Sequence, residues 1–234
     1  MSGDTPDLEY VGLMALAWDP LRGDTSGWED RAYYLDLVRE RGEPVLDVGC
    51  GTGRLLLDYL GLGIDVDGLE ISAEMLAICR SKAAAAGLDV EGRLFEQAME
   101  AMDLPRCYRT IIVPSSSFQL VVDAAAAAEA LRRFHDHLVP GGTLALPFYS
   151  LAEAADESWT DEADLSDGSR IRRISVSRPN AEKRFIRIEI SRVPLDEPSI
   201  GKPHDNFDRF HVQSVLQRIN RGIMKMVTHC AQKL

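Results

Sequence analysis

Five residues carry most of the chemistry in this sequence: Asp47, Gly49, Gly51, Gly53 and Glu70. The first four lie in "VLDVGCGTGR" (45–54) and the last in "DGLEISAEML" (67–76). A glycine-rich turn after an apolar run lets backbone approach a ligand closely and opens onto a helix N-terminus. The dinucleotide form of that turn, G-x-G-x-x-G, needs its third glycine at residue 54, where this chain has Arg54. The spacing here is G-x-G-x-G, with a carboxylate two residues ahead of it. An acid in that place would repel a pyrophosphate, so the neighbouring group of the ligand should be cationic, such as an α-amino group. A second acid, Glu70, ends the next apolar run. A carboxylate accepts two hydrogen bonds at once, which suits a vicinal diol.

The elements that must position these residues follow from the pattern. Ser26 and Glu29 have the spacing of a capping box, and "DRAYYLDLVRER" then reads as a helix stopped by Gly42. "PVLDVGC" is a buried strand and "GRLLLDYLGLG" a helix. "IDVDGLE" is a second strand, and Ser72 caps the helix "AEMLAICRSKAAAAG". "DVEGRLFE" and "TIIVPSS" are further strands. Asp123 caps "AAAAAEALRRFHDHL", "PGG" at 140–142 stops it, and "TLALPFY" is the fifth strand. Alternating apolar strands and helices imply a parallel sheet covered on both faces.

The pattern changes after Tyr149. "EAADESWTDEADLSDG" reads as an acidic loop, and "RIRRISVSR" and "RFIRIEISRV" alternate with period two, as in an antiparallel hairpin. "VQSVLQRINRG" reads as a last amphipathic helix and "IMKMVTHC" as a short final strand. The expected organisation is one domain over 1–234, with an N-terminal lid segment at 1–27 and a cap inserted at 150–208.

Composition narrows the partners. A net charge of −11 opposes binding to a phosphate backbone, so nucleic acid is not expected as a substrate. No stretch approaches a membrane span and "MSGDTPDLEY" lacks the marks of a signal peptide, so no membrane association is expected. Cys50, Cys79, Cys107 and Cys230 are scattered, without a C-x-x-C pair, as befits free thiols in the cytoplasm. No metal-ligand spacing is present, and no metal is expected.

S-adenosylmethionine combines an amino group, a sulfonium and a ribose with no phosphate, and so meets the demands of Asp47 and Glu70. "VLDVGCGTGRLLLDYL", "GLEISAEML", "TIIVPSSSFQLV" and "LVPGGTLAL", in that order, resemble the motifs of the class I S-adenosylmethionine-dependent methyltransferases over residues 28–149. The resemblance implies an α/β fold: a doubly wound, mostly parallel Rossmann-like sheet with a small antiparallel β cap inserted after strand five. It implies S-adenosylmethionine as cofactor, with Asp47 at its amino group and Gly49, Gly51 and Gly53 beneath it. Glu70 would take the ribose hydroxyls and Ile71 would flank the adenine, with Met75 nearby. The third-strand position that often carries an acid near the adenine falls on Ala98, a departure from the family; Gln97 would supply that polar contact and Met99 would lie under the ring.

Methyl transfer is an in-line displacement, which asks the protein chiefly to align two reactants. The resemblance places the loop "PSSSFQ" beside the methyl group, with Ser115 as an acceptor contact. It also aligns "RFHVQSVLQRI" (209–219) with the segment returning from the cap, which makes Arg209 an acceptor residue and His211 a candidate general base. His135 and His137, near a helix C-terminus, read as structural. Tyr10, Trp18 and Trp28 belong either to the lid or to the packing of the first helix. A D/N-P-P-Y-type loop is lacking, which favours a small-molecule acceptor. The family sheet closes with two strands after the last helix; only "IMKMVTHC" is available here, so a partner chain in a homodimer could supply the other. Two rival readings remain: a non-catalytic cofactor-binding relative, and a nicotinamide-dependent oxidoreductase. The glycine spacing and the lack of a Tyr-x-x-x-Lys pair speak against the latter.

Overall fold

The computed structural model describes residues 10–147, 156–179, 183–194 and 210–217. The chain divides into two compact units, one comprising 26–149 with 219–234 and the other 1–25 with 150–218.

The first unit is built on five parallel strands: β1 (Val45–Val48), β2 (Val66–Glu70), β3 (Leu94–Glu96), β4 (Tyr108–Ile112) and β5 (Leu138–Ala145), in the order β3-β2-β1-β4-β5. α2 (Glu29–Arg41), α3 (Leu56–Gly61), α4 (Ala73–Ala85) and α5 (Ala124–Asp136) connect and cover them. Alternate residues of β1 serve opposite faces. Leu46 and Val48 join a cluster with Ala127, Ala130, Leu131 and Phe134 of α5. Val45 joins a second cluster with Tyr34 and Val38 of α2 and Leu56 and Tyr59 of α3. Both faces of β1 are therefore apolar and buried, as a doubly wound sheet requires.

Two helix caps form as the sequence implies. Ser72 Oγ accepts from the Met75 amide at 3.2 Å, and Asp123 Oδ1 accepts from the Ala126 amide at 2.8 Å. Two local expectations are corrected. Ser26 is not the cap of α2: the helix begins at Glu29 after Trp28, with no side-chain cap. The P-G-G triplet does not stop α5, which ends at Asp136; it lies inside β5, where the register against β4 shifts between Tyr108 and Thr110. A β-bulge accommodates the triplet without ending the strand. His137 is structural as expected: Nε2 accepts from the Leu104 amide at 3.0 Å and Nδ1 lies 2.8 Å from the Arg133 carbonyl.

The second unit is a four-stranded antiparallel sheet, β6 (Glu157–Asp164), β7 (Ser169–Pro179), β8 (Lys183–Pro194) and β9 (Phe210–Gln217), in sequential order. The β7–β8 hairpin agrees with the period-two reading. Its neighbours do not. The acidic stretch expected as a loop contains β6, because its carboxylates pair across the strand with arginines of β7: Arg172 with Glu162 at 2.6 Å and Arg173 with Asp161 at 2.6 Å. The expected helix over "VQSVLQRI" is a strand through Gln217, paired with β8 from Ile190↔Phe210 to Lys183↔Gln217. A helix absent from the sequence reading, α1 (Leu13–Arg22), packs Leu13, Met14 and Ala17 on Ile171 and Ile190 of this sheet. Its internal Pro20 disguises the helical spacing.

Candidate functional site

β1 is flanked by β2 and β4, so its C-terminal end lies in the middle of the parallel sheet. The last residues of this strand and of β2 face the same edge, where open α/β sheets bind ligands. Asp47 occupies that end, in register with Gly68 and Ile112, and is 2% exposed. Its Oδ1 has no hydrogen-bond partner. Among the described residues only one other buried side-chain atom is so placed, Tyr59 Oη. Burial pushes the Asp47 carboxyl up to about 7, against the opposing pull of the Arg54 guanidinium; the Glu70 charge adds to the rise. A buried carboxylate oxygen without a donor is costly unless a cationic or donor group arrives to meet it.

The loop from Gly49 to Arg54 wraps this carboxylate. Gly49 (φ 71°) and Gly53 (φ 86°) adopt left-handed conformations that a side chain would strain. Space is short as well. A Cβ on Gly49 would stand 2.8 Å from Ser117 Oγ, and one on Gly53 would stand 2.6 Å from Cys79 Sγ. The steric demand at these two glycines is thus set by the protein's own packing. Most loop amides are also engaged. Gly49 and Cys50 donate to the Leu69 carbonyl at 2.7 and 3.1 Å, Gly53 donates to the Cys50 carbonyl at 2.9 Å, and Gly51 donates to Glu70 Oε2 at 3.0 Å. A phosphate-binding loop keeps such amides for its anion; here they hold the loop to β2.

Glu70, at the end of β2, is 7% exposed. Oε2 takes the Gly51 amide and Oε1 the Ser72 amide, each at 3.0 Å. Burial raises its carboxyl above the ordinary range while the amides of Ser72, Gly51 and Ile71 oppose the rise. Three amides leave part of the carboxylate's four lone-pair positions free, so the side chain can fasten the loop and still accept from a ligand hydroxyl. Ile71 follows with 38% exposure, an apolar surface beside that acid. Met75 is buried beneath the start of α4. Met99 packs against the core cluster on the α5 face. Gln97 donates through Nε2 to the Asp103 carbonyl at 3.2 Å and accepts the Asp103 amide at 2.7 Å, so both ends of its amide are engaged.

The loop after β4 approaches the glycine loop through Ser117, whose Oγ also donates to the Pro114 carbonyl at 3.1 Å. Ser115 in this loop has φ 58°, the one positive-φ residue other than glycine among the described residues. Backbone held in that region marks loops whose shape is enforced by their surroundings.

The sequence reading missed the contacts of Arg54. This residue replaces the third glycine of a dinucleotide loop and turns to α2 instead: Nη1 and Nη2 meet Asp30 Oδ1 and Oδ2 at 2.9 and 2.5 Å. Its guanidinium carbon stands 5.2 Å from the centre of the Trp28 ring, so Trp28 packs on the glycine-loop side of its own unit. Tyr10 and Trp18 pack in the other unit, at α1, with ring centres 4.6 Å apart and planes tilted by 60°. His211 lies on β9 opposite Glu189. Arg209 falls outside the described residues. Cys50, Cys79 and Cys107 are free thiols. Among the described residues there is no acidic, histidine or cysteine cluster fit for a metal, and no helix long and apolar enough to cross a membrane.

A family model described as a methyltransferase domain matches residues 45–142, the stretch that holds every loop just described. Residues 45–142 form a methyltransferase domain. The chain is 28% identical over 194 residues to a dTDP-3-amino-3,6-dideoxy-α-D-glucopyranose N,N-dimethyltransferase of Streptomyces fradiae, covering 79% of this chain and 72% of that protein. It is 30% identical over 147 residues to a dTDP-3-amino-3,4,6-trideoxy-α-D-glucopyranose N,N-dimethyltransferase of Streptomyces venezuelae, covering 61% of this chain and 59% of that protein. In fold it is similar to the sugar N-methyltransferase KedS8 of a Streptoalloteichus species, with a TM-score of 0.70, 22% identity, and coverage of 89% and 81% of the two chains.

Proposed function

We propose that this methyltransferase transfers a methyl group from S-adenosylmethionine to a small-molecule acceptor, and that the acceptor class to test first is a nucleotide-linked amino sugar. The observation that carries the cofactor assignment is the unpartnered, buried Oδ1 of Asp47 at the end of the central strand. It asks for a cationic donor and would be worsened by a phosphate. When bound, S-adenosylmethionine supplies a methyl group already activated by its sulfonium.

The residues then divide as follows. Asp47 accepts from the amino group, directly or through water. The backbone of Gly49, Gly51 and Gly53 supports the cofactor, its shape fixed by Ser117, Cys79 and Glu70. Glu70 accepts from the ribose with the lone-pair capacity that its backbone amides leave. Ile71 covers the adenine, with Met75 and Met99 as the apolar packing around it. Gln97 would have to release Asp103 to reach the ring. Ser115 is assigned to the acceptor on the family resemblance, which puts its loop beside the methyl group; Ser117 of the same loop lies close to Gly49. Arg209 and His211 are assigned to the acceptor on their sequence motif, with His211 as base where the acceptor must lose a proton.

The amino-sugar class rests on the named activities of the two Streptomyces relatives. An amine that is neutral at the moment of attack needs alignment more than it needs a strong base. Calorimetry with S-adenosylhomocysteine tests the cofactor part. Wild type should bind, and Glu70→Ala should weaken binding by about 1–3 kcal/mol, the cost of leaving buried polar partners unmet. Absence of binding by wild type refutes it. Turnover of a nucleotide-linked amino sugar, followed by mass increments of one or two methyl groups, tests the acceptor class. His211→Ala tests the assigned base.

A further inference from the structure

Tyr59 is 1% exposed, on α3, in the apolar cluster formed with Tyr34, Val38, Leu56, Val66 and Ile112. Phenylalanine would fill that space equally well. The hydroxyl nonetheless ends there without a partner, and an orphaned buried hydroxyl is destabilising. The other orphan among the described residues, Asp47 Oδ1, belongs to the same face of the sheet. Val45, two residues earlier on β1, packs in the Tyr59 cluster, and so does Ile112, the register partner of Asp47. Residues two apart on a strand share a face. The Asp47 charge also acts on the Tyr59 hydroxyl, after burial itself the largest influence raising its proton affinity.

The cations around this point have carboxylate partners already. Arg54 gives both terminal nitrogens to Asp30, and Arg31 pairs with Asp58. The Leu56 amide of α3 donates to the Asp47 carboxylate, and the titratable groups that act on it are Arg54 and Cys50 from the loop, Glu70 from β2, Asp30 from α2 and Tyr59 from α3. Of these, Tyr59 carries a hydroxyl that has no partner among the described residues. A donor and an acceptor left unmatched on one buried face can share one water, which two polar partners suffice to hold.

We propose that Tyr59 is a positioning residue for Asp47: its hydroxyl donates through one buried water to Asp47 Oδ1 and holds that carboxylate in the orientation that meets the cofactor's amino group. The inference rests on the cofactor assignment above, but its first consequence concerns the ligand-free protein. A donor to the ionised carboxylate favours that form. Its removal makes Asp47 harder to ionise.

The experiment uses Tyr59→Phe, Asp47→Asn and the double variant. Thermal stability of the ligand-free proteins is measured from pH 5 to 9. The pH-dependent step that wild type shows and Asp47→Asn lacks belongs to Asp47. In Tyr59→Phe that step should move up by about one pH unit, a roughly tenfold change in proton affinity. In S-adenosylhomocysteine calorimetry at pH 7, Tyr59→Phe should raise Kd about fivefold, the fall in the ionised fraction that a one-unit shift produces there, and the two proteins should converge near pH 9. In the Asp47→Asn background, Tyr59→Phe should change neither reading. A step that stays in place overturns the proposal, and so does a uniform loss of stability at every pH, which would mark Tyr59 as packing alone. If wild type fails to bind S-adenosylhomocysteine but the step moves, the coupling of Tyr59 to Asp47 stands and the cofactor assignment falls. If wild type binds and the step stays, the reverse holds.

Discussion

The unmet oxygen of Asp47 carries a stability cost that a single substitution should recover. Asp47→Asn keeps the shape of the side chain and removes its charge. The carboxyl is raised from 3.8 to about 7 by burial, a rise of about three units. Each unit corresponds to about 1.4 kcal/mol, so the ionised form destabilises the ligand-free protein by roughly 4 kcal/mol at pH 8. The asparagine still buries an unmatched amide, which costs about 1–2 kcal/mol, leaving a net gain near 2–3 kcal/mol. The sign follows from linkage. A carboxyl raised in the folded state binds its proton more tightly there than in the unfolded chain, so stability falls as pH rises through the window from about 4 to 7. Asp47→Asn should therefore melt roughly 5–10 °C above wild type at pH 8, for a chain of this size. The gap should close by pH 4, and the variant should lose S-adenosylhomocysteine binding. Differential scanning calorimetry across pH 4–8 provides the check. Equal pH slopes in the two proteins, or a variant less stable at pH 8, would refute the reasoning, because either result means that Asp47 is not held buried and unmatched.

Other substitutions probe the frame of the site and the second unit. Gly53→Ala combines a left-handed backbone, about 1–2 kcal/mol, with a Cβ 2.6 Å from Cys79 Sγ. A loss of about 2–4 kcal/mol is expected in urea melts, and adding Cys79→Ala should return the steric part while leaving the backbone part. Arg106→Met removes the donor that holds the Asp65 carboxyl down at about 2. The stability owed to Asp65 is present above about pH 4 and lost toward pH 2, so the variant should be weaker at neutral pH and show a shallower decline on acid titration. Arg172→Met leaves Glu162 without its 2.6 Å partner in the antiparallel sheet; a cost of about 2–4 kcal/mol is expected, most of it recovered by the double change with Glu162→Leu.

The acids were legible from sequence because charge at the end of an apolar strand has few uses. Asp47 and Glu70 could be placed at the ends of their strands without any knowledge of their surroundings. Ser72 and Asp123 were legible for a related reason: capping is decided within one turn of chain. The failures share the opposite property. Whether Ser26 or Trp28 begins α2 depends on what the preceding chain packs against. The arginines that turn the acidic stretch into β6 are supplied by β7, several residues further on. "VQSVLQRI" carries apolar residues compatible with either period, and pairing with β8 decides for a strand. The roles of the glycines divide along the same line. Their spacing announced a ligand loop, yet Gly49 and Gly53 are constrained by Ser117 and Cys79, residues that no spacing rule connects to them. The same loop amides that an anion would claim are taken by Leu69, Cys50 and Glu70. Under the proposed function, selectivity against phosphate lies partly in the hydrogen bonds that the loop makes to its own sheet. An aspartate two residues before a glycine turn signals that exclusion in the sequence, and the engaged amides are how the fold enforces it.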